Sequence, residues 1–157
     1  MIGELSKKQI EQLLSQQIIG RIACCRDGFV YLIPISYAYE DDCIYARGFN
    51  GLKFDIMRHN PNVCFETDDA TDMANWRSVI AWGKFEELKN SDRKKGLKIL
   101  LHRHVPLSSS SLTHLGEEWP FSEQELDKII GVVFRINITK KTGKFESTSV
   151  TDPTLGE

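Results

Sequence analysis

Along most of this chain apolar and polar residues alternate with a period of two, and only a few short stretches shift to a helical period. The cleanest case runs over 130–138, where Ile130, Val132, Phe134, Ile136 and Ile138 alternate with Gly131, Val133, Arg135 and Asn137. Over 29–39 one face collects Phe29, Tyr31, Ile33, Ile35, Tyr37 and Tyr39. Pro34 interrupts that run, and because proline cannot donate to a ladder it predicts a bulge or a sheet edge. Further strands are predicted at 20–25, 43–48, 62–67 and 76–88. The last of these is apolar on both faces at its centre (Val79, Ile80, Ala81, Trp82), which predicts the middle of the sheet or a subunit boundary.

The turns are equally legible. Asp27-Gly28 between two alternating runs signals a tight hairpin, since both residues tolerate positive φ. Glu40-Asp41-Asp42 turns the chain again, and 68–75 reads as an acidic, exposed loop. Ser6 and Gln9 form a capping box, with Leu5 able to staple onto Ile10, so a helix of about three turns follows with Ile10, Leu13 and Leu14 on one face. A short helix starts at Asn50-Gly51 and stops before Asn60-Pro61, and a longer one covers 91–104 with Leu97, Leu100 and Leu101 at core spacing. The serine-rich 105–120 segment reads as a mobile loop, the Phe121-Ser122 pattern as another helix start, Thr142-Gly143-Lys144 as a turn, and 149–157 as a flexible tail. Six mostly antiparallel strands with peripheral helices make this a mainly β, single-domain chain over 1–157, with the strands closing a small barrel or a partly split one. Long crossover helices do not alternate with the strands, which argues against a doubly wound sheet.

Composition narrows the function. A net charge of −2 with both signs interspersed gives no basic stripe for nucleic acid or an anionic membrane. No apolar run approaches the roughly 20 residues of a membrane span. The N-terminus has no signal-peptide core, which leads to the expectation of a cytoplasmic protein. Cys24, Cys25, Cys43 and Cys64 sit in strand-like segments without a Cys-x-x-Cys pair and read as reduced, packed side chains. His102 and His104 are two residues apart on a predicted helix and face different ways, so no metal site is expected. No paired carboxylates or Ser-His-Asp order stand out, and no catalytic residue is assigned.

The densest chemistry lies where the strand at 43–48 opens the short helix. A helix N-terminus presents outward N–H groups and the positive end of its dipole, which suits a phosphate monoester. Arg47 and Lys53 flank that point and supply formal charge.

Five elements recur here in order: Pro34-x-Ser36-Tyr37, Ile44-Tyr45-Ala46-Arg47, Gly51-x-Lys53, Asn60-Pro61-x-Val63-x-Phe65, and Arg77-Ser78-Val79-Ile80-x-Trp82-Gly83. Together they resemble the pyridoxamine 5'-phosphate oxidase-like flavoproteins over about residues 5–146, nearest the branch of the nitroimidazole-resistance proteins. The resemblance implies a six-stranded antiparallel split β-barrel that forms a homodimer with FMN in each interface cleft. It implies that Arg47 and Lys53, with the backbone at Asn50 and Gly51, hold the phosphate. Pro34, Ile35 and Ser36 would lie along the flavin ring, and Trp76, Arg77 and Ser78 would approach the cofactor or the partner subunit. A cation such as Arg77 near the ring would favour the reduced form, although Arg47 could compete for that role. Leu52 stands where many nitroimidazole-resistance proteins have histidine, and the extra C-terminal arginine and histidine of the oxidase proper have no equivalent. The resemblance therefore implies an oxidoreductase that passes electrons from NAD(P)H or another donor to a small planar acceptor, nitroaromatic or quinone-like. Two alternatives stay open, a non-catalytic flavin carrier or redox sensor and a haem-binding split barrel.

Overall fold

The computed structural model describes residues 1–103 and 123–149. The expected loop over 105–120, His104, the Phe121-Ser122 helix start and the tail from residue 150 lie outside them. Eight strands and three α-helices follow in the order β1 (Ile2–Glu4), α1 (Lys7–Gln16), β2 (Ile19–Arg26), β3 (Phe29–Ser36), β4 (Ala38–Glu40), β5 (Cys43–Gly48), α2 (Leu52–His59), β6 (Asn62–Asp72), β7 (Asn75–Glu87), α3 (Asn90–His102) and β8 (Val132–Glu146). A short 3-10 helix, Glu123–Lys128, precedes β8. The strands form one antiparallel sheet in the order β3-β2-β6-β7-β8-β5-β4, with β1 added to β8. This is the mainly β, antiparallel architecture expected from the alternation.

The chain splits the barrel between β3 and β4. Residues 29–39 read as one strand, yet β3 pairs with β2 and β4 pairs with β5, at opposite edges of the sheet. Tyr37 makes the crossing. Its N–H donates to the Ile18 carbonyl, its hydroxyl donates to the Leu14 carbonyl at 2.8 Å, and its ring meets Phe65 edge-on. Pro34 accordingly sits on an edge strand, where no neighbour asks for its missing N–H. β7 lies in the middle of the sheet.

Two expectations change. The acidic 68–75 stretch is not a loop: β6 runs to Asp72 and β7 restarts at Asn75. Arg21 takes Glu66 and Asp68, and Arg77 takes Asp69, so part of the negative charge along this extension is offset across the ladder. Asp72 closes the turn by accepting from the Ala74 N–H and the Asn75 amide. Thr142-Gly143-Lys144 does not turn either; it continues β8 opposite Ser78, Val79 and Ile80. Gly143 is there for packing, since a Cβ would come within 2.9 Å of both Leu5 and Ile10 beneath α1. These two changes lengthen strands, while β1 and the β3/β4 break make eight strands among the described residues in place of six.

The hairpin signals hold. Asp27 and Gly28 both have positive φ, as do Asp41 and Asp42 at the next turn. The Ser6–Gln9 capping box is present on α1. The main core fills the barrel, with Ile22, Phe65 and Ala81 fully buried in register across β2, β6 and β7. A second cluster seats α3 on the other face of β5 and β8 through Tyr45, Leu97, Leu100, Leu126 and Val133. The four cysteines are unbridged, and burial raises the thiol pKa of Cys24, Cys43 and Cys64. That fits the reading as packed side chains. No described helix is long and apolar enough to cross a membrane.

Candidate functional site

The last residues of β5 separate two environments. Ile44 and Ala46 point into the barrel and Tyr45 points to α3, which leaves Arg47 on the α3 side at the strand exit. There its Nη1 donates to the Ile130 carbonyl at 3.0 Å and its guanidinium lies 5.8 Å from the Phe49 ring. Arg93 holds the neighbouring carbonyls of Ile129 and Gly131. Gly131 has φ of 100°, and a Cβ on it would come 2.8 Å from the Gly48 carbonyl oxygen. The two arginines and this close glycine contact pin the start of β8 against the end of β5.

α2 starts four residues after Gly48, at Leu52. Its N-cap is Gly51, and no side chain caps the helix. Intrahelical bonds begin with the Phe54 and Asp55 N–H groups, both donated to the Gly51 carbonyl, so the Leu52 and Lys53 N–H groups have no acceptor within the helix. Asn50 does not turn its side chain to the helix. Its Oδ1 accepts from Arg58 Nη2 at 3.0 Å, while Arg58 makes a bidentate pair with Glu87.

Lys53 folds back over β5, and a Cβ on Gly48 would come 2.9 Å from its Nζ. Glycine at 48 thus leaves the lysine its place. Burial alone lowers the Lys53 pKa, and among the described residues no carboxylate pairs with it. A partly desolvated ammonium without a counter-charge is costly unless an anion completes it.

One cation was missed by the sequence reading. Arg103, just past α3, is partly buried, and burial together with the Arg47 charge draws its pKa down to about 10. No pattern singled it out, because a basic residue at a helix C-terminus is ordinary. Only the packing of α3 on β5 and β8 carries it to this corner.

The remaining predicted residues divide. β3 comes into contact with β5 where the chain crosses between the sheet edges, which brings 34–36 towards the corner. Ile35 is buried and points inward, while Pro34 is exposed and Ser36 partly so. Trp76, Arg77 and Ser78 lie at the other end of β7. Trp76 Nε1 donates to Glu146 at 3.1 Å, Arg77 pairs with Asp69 and donates to Gln16, and Ser78 lies in register between Asp68 and Lys144. Trp76 and Arg77 line a cleft of about 330 Å³ against α1. Arg77 and Glu87, the partner of Arg58, are ten residues apart on β7, about 33 Å along the strand. Within one chain, Trp76–Ser78 and the Arg47–Lys53 corner do not converge. His59 is near Asp27, His102 binds Glu123, and no metal-ligating cluster occurs among the described residues.

The chain and its fold have counterparts among known proteins. A sequence profile of the pyridoxamine 5'-phosphate oxidase family matches residues 6–145. An uncharacterized protein of Rhizobium meliloti (strain 1021) is 32% identical over 84 residues, which is 54% of this chain and 56% of that protein's length. Among solved structures, an FAD-binding protein from Mesorhizobium loti superimposes with a TM-score of 0.69 at 30% identity, covering 94% of this chain and 99% of the other. A candidate 5-nitroimidazole antibiotic resistance protein from Bacteroides thetaiotaomicron has a TM-score of 0.68 at 19% identity, covering 92% and 87%, a likeness of fold alone.

Proposed function

The chain belongs to the pyridoxamine 5'-phosphate oxidase family, and from that footing we propose that it is a flavoprotein whose flavin phosphate sits at the Arg47–Lys53 corner. The observation that carries this reading is Lys53, partly desolvated and without a carboxylate, beside the uncapped N-terminus of α2. Arg47, Lys53 and Arg103 would supply the charge for the phosphate, and the Leu52 and Lys53 N–H groups would supply donors. Gly48 and Gly51 keep the backbone open for that approach. FMN offers this corner a phosphate and a ring by itself, and FAD offers the same parts through its FMN half. When bound, the flavin supplies the two-electron chemistry, while the protein supplies orientation and electrostatics.

The active unit is proposed to be a homodimer. On the outer face of the sheet, Leu32, Ala23, Cys64 and Trp82 lie in one register row. Val30 is 69% exposed, Leu32 65% and Trp82 38%, an apolar strip that a second copy would cover. The distance between Trp76–Ser78 and the corner supports the same assembly, because only a partner's strand could bring both to one ring. The reaction proposed is electron transfer from a nicotinamide or other donor to a small planar acceptor. Leu52 in place of histidine argues against a nitroimidazole reductase of the histidine-bearing kind.

The test is cofactor release from purified protein with identification by mass, followed by titration of the cofactor-free protein. Arg47→Ala with Lys53→Ala should weaken flavin binding by about 3–6 kcal/mol, at roughly 1.5–3 kcal/mol per charge-assisted hydrogen bond. An unchanged affinity in that double variant would place the phosphate elsewhere. Bleaching of the bound flavin by NADH or NADPH and its recovery with an acceptor would separate an enzyme from a carrier.

A further inference from the structure

α1 is tied to the sheet at both ends and leaves a cavity between the ties. The Leu5 N–H donates to the Gly143 carbonyl at 3.0 Å, and Arg77 Nη2 donates to Gln16 Oε1 at 3.2 Å. Between them lies the cleft of about 330 Å³, at the lower end of the range for small-ligand sites, about 300–1,000 Å³. It opens on the core side of β7. Arg77 shares the face of Val79 and Ala81, both fully buried, whereas Ser78, Ile80 and Trp82 alternate to the outer face. A second copy on the outer strip therefore covers the other side of the sheet.

The floor of the cleft is apolar. Phe145 pairs in register with Arg77 on one side and Gly3 on the other. A Cβ on Gly3 would come within 2.8 Å of the Phe145 ring, so the ring lies over β1 where that strand has no side chain. Leu5 lines the same cleft. The walls hold donors that the fold does not engage. Lys8 and Gln12, four residues apart, share one face of α1, and neither side chain has a hydrogen bond or ion pair among the described residues. The Thr71 hydroxyl is likewise without a partner among them. Arg77 commits Nε and Nη2 to Asp69 and Gln16, which leaves Nη1 without an acceptor among the described residues. The carboxylates of the lining are engaged instead: Asp69 Oδ2 accepts twice from Arg77, and Glu146 accepts from Trp76 Nε1. Two cations and two carboxylates cancel in formal charge, so the open capacity of the cleft is set by its donors.

We propose that this cleft binds a small aromatic monocarboxylate, its ring on Phe145 and Leu5 and its carboxylate among Lys8, Gln12 and Arg77 Nη1. A carboxylate takes charge-assisted hydrogen bonds from these donors, and the aromatic floor favours a ring. The site is independent of the flavin corner, which lies towards the opposite end of β7. Benzoate is the probe, titrated calorimetrically into the cofactor-free protein beside benzamide and benzylamine, which keep the ring and replace the carboxylate with a neutral or a cationic group. The expected result is benzoate binding about tenfold or more tighter than either. Lys8→Glu, in the first turn of α1 where an acid favours the helix, should weaken benzoate by a similar factor, and Gln12→Trp should fill the cleft and abolish binding. Both positions are exposed, and the melting temperature checks that both variants are folded. Arg47→Ala with Lys53→Ala should leave benzoate affinity unchanged, as should saturation with FMN. No benzoate binding by the wild type, equal affinity for the three probes, or tighter benzylamine would overturn the assignment. Full benzoate affinity in folded Gln12→Trp, or its loss in the corner variant, would put the ligand elsewhere and overturn it too. Flavin affinity in Gln12→Trp should stay at the wild-type level, so the cleft and the corner fail separately.

Discussion

At the residue scale, two glycines and one lysine shape the corner. Gly131 takes a backbone conformation that costs a non-glycine residue about 1–2 kcal/mol, and its Cα faces the Gly48 carbonyl at a distance where a methyl overlaps. Gly131→Ala is therefore expected to lower unfolding stability by about 1–3 kcal/mol in denaturant titration and to weaken flavin binding with it. An unchanged midpoint would mean that β8 can shift away from β5 without loss. Lys53 was legible in the sequence because it follows Gly51 at a helix start, a local feature. Arg103 was not, since its role depends on which way α3 leans and on what lies beyond its end.

At the element scale, the ladder between β7 and β8 carries a polar clamp beside its apolar one. Glu86 accepts from Arg135 Nε at 2.8 Å and from Asn137 Nδ2 at 2.8 Å, and these partners, Arg135 first, lower its pKa. A carboxyl whose folded pKa is depressed stabilises the protein above its unfolded pKa, near 4.5 here, and loses that contribution as pH falls through the folded value. Glu86→Gln should flatten the decline in stability below about pH 4.5, measured as melting temperature against pH. An identical acid limb in the variant would show that other carboxylates set it. The same scale explains the misread loop. Charge density at 68–75 reads as a loop in one dimension; the stretch is largely exposed as expected, but it is a strand pairing whose acids Arg21 and Arg77 partly offset from other strands.

At the scale of the whole molecule, the outward apolar strip is the main unexplained surface of the single chain. An isologous interface counts each contact twice. Losing one Leu-sized burial of about 1.5–3 kcal/mol from each protomer should weaken a dimer by about 3–6 kcal/mol, a hundredfold or more. Leu32→Glu with Trp82→Glu is accordingly expected to give a monomer in sedimentation velocity, and to lose flavin affinity together with association. A dimer that survives the double variant would move the interface off this face.

Strand positions, hairpin turns, the α1 cap and the cationic helix start were all written in the sequence, because each depends on neighbours within a few residues. The split between β3 and β4 was not, because the face alternation over 29–39 continues past Pro34 and only competition between two sheet edges decides where the chain crosses. The extension of β6 and β8, the arrival of Arg103 and the separation of Trp76–Ser78 from the corner also belong to the tertiary structure. Each is set by groups far apart in the chain, whose pairing energy no local pattern records.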